Sequence, residues 1–130
     1  MHIKIIRDDI VLHTVPLEKI KFEENKLTIS VEDSNEKRFS IVFSAIQAFR
    51  TTTTDCIEFD AQIIDLCCKN TGKYKRHIIE ILDSDWIEHL RKTLLLRNEH
   101  DFLHKSRHFY IDIGDFVWEI VAYNIEFYPE

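Results

Sequence analysis

Histidines recur at four-residue intervals in the stretch HDFLHKSRH, residues 100–108. On a helix, His100 and His104 would share one face, as paired zinc ligands do. Asp101 follows the first histidine, where zinc proteases with this spacing carry a glutamate as general base. The stretch lacks the apolar stripe of a stable helix, and His108 belongs to the strand predicted after it, so no third ligand is marked. We interpret the stretch as a polar loop or a fraying helix end whose histidines face water, and we predict no cofactor, with His100 and His104 kept as alternative metal ligands.

The cysteines offer a second possible chemistry. A nucleophilic cysteine needs a nearby imidazolium or helix N-terminus that favours the thiolate. Cys67 and Cys68 precede a basic segment and His77, but no nucleophile motif surrounds them. The three cysteines include an adjacent pair and no CxxC spacing, so we predict reduced, structural thiols and a cytoplasmic protein.

Carboxylates and aromatic residues gather around the last predicted hairpin. Two carboxylates on one sheet face could serve as acid and base, yet no phosphate loop, dinucleotide fingerprint or nucleophile elbow accompanies them. Acidic residues on an exposed sheet face could instead contact a basic protein, and we predict this role for Asp112, Asp115 and Glu119. Tyr110 and Tyr128 are the predicted aromatic anchors, since tyrosine buries a large area with few rotatable bonds. If Glu119 is buried in its apolar strand, it must be paired.

Alternating apolar residues predict an antiparallel meander in the first 44 residues. Each run has one apolar face, which carries Ile20 and Phe22 in the first run and Leu27, Ile29 and Val31 in the second. The three runs are residues 18–23, 26–32 and 37–43, with turns at 24–25 and 33–36. Two further strands are predicted upstream, over 2–6 and 9–15.

The centre of the chain has weaker signals. Ser44 is predicted to cap a short helical turn over 45–50, and the threonines at 51–54 to form an exposed connection. Residues 55–68 alternate as in a strand at their start, but their later part could equally line a helix. Residues 69–76 are predicted to form a basic surface loop that bends at Gly72.

Residues 85–97 predict the principal helix. Asp85 is the predicted N-cap, with Glu88 completing a capping box. The apolar stripe comprises Trp86, Ile87, Leu90, Leu94 and Leu95. Strands are predicted over 77–82, 108–113 and 116–128, and the last has two apolar faces from 116 to 122, as a covered central strand does. The chain is therefore predicted to be one α+β domain over 1–130, mainly antiparallel sheet (a meander plus a C-terminal hairpin) with one principal amphipathic helix.

Charge and hydropathy exclude some classes of function. The net charge of −6 over 130 residues argues against general nucleic-acid binding. Residues 69–107 carry nine basic and six acidic side chains, a local excess of +3 that leaves contact with a polyanion open. No apolar run approaches the length of a membrane span, and the N-terminus lacks the apolar centre of a secretory signal.

The hairpin HFYIDIGDFVWEIVAYNIEF, the small size and the acidic balance resemble those of small immunity proteins that neutralise bacterial toxins, including toxins of contact-dependent growth inhibition. The resemblance implies a stoichiometric inhibitor that covers the active surface of a cognate toxin. Nuclease toxins are often basic, and an acidic surface would speed their capture. The alternatives are a metal-dependent hydrolase using His100 and His104, and a small adaptor protein of another role.

Overall fold

One antiparallel sheet organises the part of the chain that the computed structural model describes, residues 1–13, 19–69 and 71–130. The strands are β1 (Ile3–Ile5), β2 (Lys19–Glu23), β3 (Lys26–Glu32), β4 (Arg38–Thr53), β5 (Ile78–Ile81), β6 (Arg107–Ile113) and β7 (Phe116–Pro129). Their order in the sheet is β1-β5-β6-β7-β4-β3-β2. The helices are α1 (Ala61–Cys68) and α2 (Asp85–Leu96), with 3₁₀ turns at Thr54–Cys56 and Phe102–Lys105. The predicted α+β class, with its mainly antiparallel sheet and a helix near 85–97, is confirmed.

Local turn chemistry builds the two hairpins that the sequence predicts. Strands β2, β3 and β4 pair consecutively, as expected for a meander. The turn between β2 and β3 places Glu24 and Asn25 at φ values of 53° and 59°, the left-handed pair typical of a two-residue hairpin loop. Strands β6 and β7 form the C-terminal hairpin around Gly114 and Asp115.

The long strand β4 differs from its prediction. It runs for 16 residues and pairs with β7 up to the contact between Thr53 and Phe116. The helical turn predicted over 45–50 is therefore wrong, and so is the connection predicted over 51–54 except at Thr54, which begins a 3₁₀ turn. Pairing with the long apolar strand β7 outweighs the weak helical signal, and β-branched threonines suit a strand. A bulge shifts the register between Ile46 and Ala48.

Ala45, which immediately precedes that shift, adopts a φ of 55°, a conformation that a Cβ disfavours and glycine accepts. We predict that Ala45→Gly raises the free energy of unfolding by up to about 1 kcal/mol in urea titration. Ala122→Gly is the control, because Ala122 is buried on β7 without a positive φ and its replacement should destabilise. Equal destabilisation by both substitutions would contradict the prediction.

The larger apolar core lies on the face of the sheet that Ile10 and Leu12 help to cover. It includes the rings of Phe43 and Phe109, whose centroids are 5.3 Å apart. Leu12 forms isolated bridges with Asp33 and Arg76, so the N-terminal segment joins the end of β3 to the chain just before β5. The strand predicted over 9–15 reduces to this bridging, and its residues 14 and 15 lie outside the described part of the chain.

The helices cover the opposite face. Helix α1 buries Ile63 and Cys67 against β5 and β6, and Asp60 caps it by accepting from the Gln62 amide. The strand favoured at the start of 55–68 is wrong, because a 3₁₀ turn and then α1 occupy this segment. Helix α2 buries Ile87 beside Val121 of β7. Its N-cap is Ser84, whose hydroxyl accepts from the Ile87 amide, rather than the predicted Asp85.

Candidate functional site

The predicted acidic contact surface is divided by the fold. Tyr110, Asp112 and Glu119 point to the face covered by the helices and are 5%, 5% and 9% exposed. This burial corrects the expectation that they form surface contacts, and it follows from the two-sided apolar pattern of the central strands. Asp115 is exposed in the turn between β6 and β7, and Tyr128 is exposed at the far end of β7. The five predicted residues therefore do not form one surface.

Glu119 is the centre of a buried polar network. Its carboxylate accepts from Arg50 Nε at 2.8 Å and from His108 Nε2 at 3.0 Å. Burial raises the pKa of Glu119, but the hydrogen bonds from His108 and Arg50 outweigh it and lower the pKa to about 2. The expectation that a buried Glu119 is paired is confirmed.

In the same network a serine contacts a histidine, which in turn contacts a carboxylate. Ser84 Oγ lies 2.7 Å from His108 Nδ1, while His108 Nε2 donates to Glu119. Such a relay can activate a serine as a nucleophile. Here Ser84 is buried, and its hydroxyl already accepts from the Ile87 amide as the cap of α2. The arrangement accounts directly for how the start of α2 is held on the sheet.

Trp86 packs against two members of this network, His108 and Arg50. Its ring meets the edge of His108 at 5.4 Å between centroids, and the Arg50 guanidinium lies 4.0 Å from its centroid. Sequence reasoning missed Arg50, His108 and Ser84 as partners. The available signal was the charge of Glu119 in an apolar strand, which demands a partner without identifying it.

Asp112 is buried in a second polar cluster with weaker pairing. Tyr74 donates to Oδ2 at 3.3 Å and Arg76 Nε lies 3.9 Å from that oxygen, whereas Oδ1 has no hydrogen-bond partner among the described residues. Burial raises the pKa of Asp112, and burial also raises the pKa of the nearby Cys67 thiol. A raised thiol pKa disfavours the thiolate, in agreement with the structural role predicted for Cys67.

We predict that Asp112→Asn leaves the free energy of unfolding unchanged or raises it by about 1 kcal/mol at pH 7. Because the folded-state pKa of this carboxyl lies above its ordinary value, the free energy of unfolding falls as the pH rises from the ordinary pKa to the raised one. At pH 7 the ionised carboxylate therefore destabilises the fold. The amide removes the charge at nearly constant volume. Urea titration at pH 7 is the measurement, and destabilisation by several kcal/mol would show that the Arg76 contact outweighs burial.

The predicted metal ligands do not share a helix face. His104 lies in the 3₁₀ turn, with Nδ1 2.8 Å from the carbonyl oxygen of Asp101, and His100 precedes that turn. The Asp101 carboxylate instead accepts hydrogen bonds from the Arg91 guanidinium, and these lower the pKa of this carboxyl. Across residues 1–13, 19–69 and 71–130, no group of three or more histidine, cysteine or acidic side chains is placed to hold a metal ion.

A partly exposed row of aromatic rings follows β2, β4 and β7, with Trp118 of β7 half-buried. The centroids of Phe22 and Phe49 are 5.1 Å apart, and those of Phe49 and Trp118 are 6.3 Å apart in a stacked arrangement. Phe22 is 52% exposed and Phe49 is 39% exposed. We call this row, with its exposed apolar neighbours on the same strands, the aromatic surface. Its members are Ile20, Phe22, Phe49, Phe116 and Trp118.

The aromatic surface has acidic residues at its margin. Asp115 immediately precedes Phe116, and its carbonyl accepts from the Thr54 amide at 2.9 Å. This contact brings the 3₁₀ turn with the exposed Asp55 to the same end of the sheet. Glu23 follows Phe22 on β2, where Lys21 pairs with it at 2.8 Å. An apolar centre with a charged margin is typical of protein interfaces.

Sequence reasoning did not identify this surface. Ile20 and Phe22 were expected on the buried face of the meander, and Phe49 fell within the incorrectly predicted helical turn. The alternation of β2 is present, but β2 is the last strand of the sheet and all five of its residues are exposed. Only the strand order shows that these side chains extend beyond the core.

Comparison with protein-family models, with curated proteins and with solved structures finds no match to this chain. No helix in the described segments is long and apolar enough to cross a membrane.

Proposed function

We propose that this protein is a stoichiometric binding protein that neutralises a cognate bacterial toxin by covering its active surface. The observation that carries the proposal is the row of rings Phe22, Phe49 and Trp118, which stays partly exposed although it extends the core. Apolar side chains that are exposed next to one another mark protein contacts more often than singly exposed ones do. Aromatic side chains are also the commonest anchors of binding energy.

The strands that carry the rings make the surface rigid. Phe49 lies opposite Ile120, and Trp118 lies opposite both Thr51 and Ile111 in regular antiparallel pairing. A preorganised surface loses little conformational entropy when it binds, so more of the contact energy is available as affinity. This supports occlusion by a fixed shape.

Charge supports a basic partner. The net charge is −6, and Asp55 and Asp115 are exposed beside the aromatic surface. Opposite charges at the margin of an interface mainly raise the association rate and select against wrong partners. Asp115 is thus retained from the predicted contacts, while the buried Tyr110, Asp112 and Glu119 support the fold beneath the surface.

Partner capture followed by growth rescue tests the proposal. The wild-type chain, the variant Phe22→Ser/Phe49→Ser and the control Leu95→Ser/Leu96→Ser would each be used to capture partners from cells that encode this protein. The control replaces two apolar residues at the end of α2 that are more exposed than Phe22 and Phe49. We expect a partner that wild type and control retain in equimolar amount and the aromatic variant loses.

That partner, expressed alone, should arrest growth, and co-expression of the wild-type chain should restore it. Retention of the partner by the aromatic variant would contradict the proposed surface. A captured partner whose expression leaves growth unchanged would contradict the proposed function.

A further inference from the structure

A groove of about 540 Å³ lies beside β1, at the opposite end of the strand order from β2. One wall is β1 itself, and the other includes Leu66 of α1 and the segment that follows this helix. Polar side chains dominate the second wall. We call it the basic groove, and its charged and polar lining residues are Lys4, Asp8, Lys69, Thr71, Lys75 and His77.

The backbone of β1 is open toward this groove. Leu82 N donates to the His2 carbonyl at 2.7 Å, and Ile6 N donates to the Ile78 carbonyl at 2.9 Å. Because bonded residues alternate along an antiparallel pair, the amide and carbonyl groups of Ile3 and Ile5 point away from β5. Within the described segments these groups have no backbone partner.

The charge of the groove is predominantly positive. Lys69 and Lys75 are exposed on its wall, and Asp8 is the one carboxylate among the lining residues of the described chain. Lys4 lies 3.7 Å from Glu80, but that carboxylate is already bound by Arg107 through hydrogen bonds of 2.7 and 3.0 Å. An anionic ligand would therefore meet the exposed ammonium groups of Lys69 and Lys75.

We propose that the basic groove binds an extended acidic peptide segment, which adds to the edge of β1 as a further strand. The backbone of Ile3 and Ile5 supplies hydrogen bonds, and Lys69 and Lys75 select acidic side chains on alternate residues of the segment. Three strand residues span about 10 Å, so β1 can pair with only a short segment of the peptide. This activity is separate from the proposed function, because it uses another edge of the sheet.

Fluorescence anisotropy with labelled Glu-Val-Glu-Val-Glu tests the proposal on the full chain. We expect binding at least about tenfold tighter than that of Lys-Val-Lys-Val-Lys. We also expect a similar loss of affinity when one alternating set of peptide amides, either the valines or the glutamates, is N-methylated. Methylation of the other set should have less effect, because an added strand donates to β1 through alternate amides. Lys69→Gln/Lys75→Gln should weaken binding at least about fivefold at low salt, whereas Lys92→Gln/Lys105→Gln, exposed lysines elsewhere, should not.

Three outcomes would overturn the proposal. No binding of the acidic peptide at millimolar concentration would remove the site. Equal binding by both N-methylated peptides would indicate an anion site without strand addition. Tighter binding of a short single-stranded DNA, lost in the Lys69→Gln/Lys75→Gln variant, would assign the groove to nucleic acid.

Discussion

We expect the replacement of Phe22 and Phe49 by serine to weaken binding of the proposed partner at least about 100-fold. Central aromatic residues of an interface typically contribute about 2 kcal/mol or more each on truncation, and each 1.4 kcal/mol corresponds to about a tenfold change in the dissociation constant. Both rings are exposed in the free protein, so the variant should keep its fold. Isothermal titration of the captured partner measures the effect.

The control Leu95→Ser/Leu96→Ser should change the affinity less than about threefold, because single leucines outside an interface contribute little to binding. Its unfolding midpoint and that of the aromatic variant should both stay close to that of the wild type. If the leucine variant loses binding and the aromatic variant keeps it, the contact lies on α2 instead.

Glu119→Gln lowers the free energy of unfolding by about 3 kcal/mol at pH 7. The substitution leaves Arg50 and the buried His108 without their carboxylate, and breaking such a pair is costly because an uncompensated charge or donor remains. The control Glu126→Gln replaces an exposed carboxylate of the same strand and should cost well under 1 kcal/mol. Urea titration of both variants measures the difference.

Glu119 also makes the free energy of unfolding depend on pH. The folded-state pKa of Glu119 is about 2, against an ordinary value of 4.5. A lowered carboxyl pKa contributes stability that is complete above pH 4.5 and is lost as the pH falls toward 2, about 3 kcal/mol in all. Wild type and Glu126→Gln should show this loss between pH 4.5 and 2, and Glu119→Gln should lack it. An unchanged pH profile in Glu119→Gln would contradict the assignment.

Local patterns predicted the parts of the fold that depend on near neighbours. The period-two alternation of 26–32 and the left-handed residues at 24 and 25 determine a hairpin with little help from the rest of the chain. The same holds for β6 and β7, whose turn and apolar runs are adjacent in sequence. Helix α2 was also predictable, since it has a capping residue, acidic first-turn residues and an apolar stripe.

Long-range pairing decided the parts that sequence patterns predicted incorrectly. Residues 45–53 form a strand because β7, about 70 residues later, supplies partners for most of them. No local signal carries that information, and the bulge between Ile46 and Ala48 further interrupts the alternation. The site follows the same logic. Glu119 lies opposite Arg50 on the neighbouring strand β4, and the rings of Phe22 and Phe49 meet although β3 separates β2 from β4.

Hydrogen–deuterium exchange of the chain alone and in complex with its captured partner tests the central claim most directly. If the aromatic surface is the contact, amides of 19–23, 48–52 and 116–119 gain protection in the complex, while those of α2 and of the groove beside β1 do not change. Protection confined to α2 or to β1, with the three aromatic segments unchanged, would contradict the account.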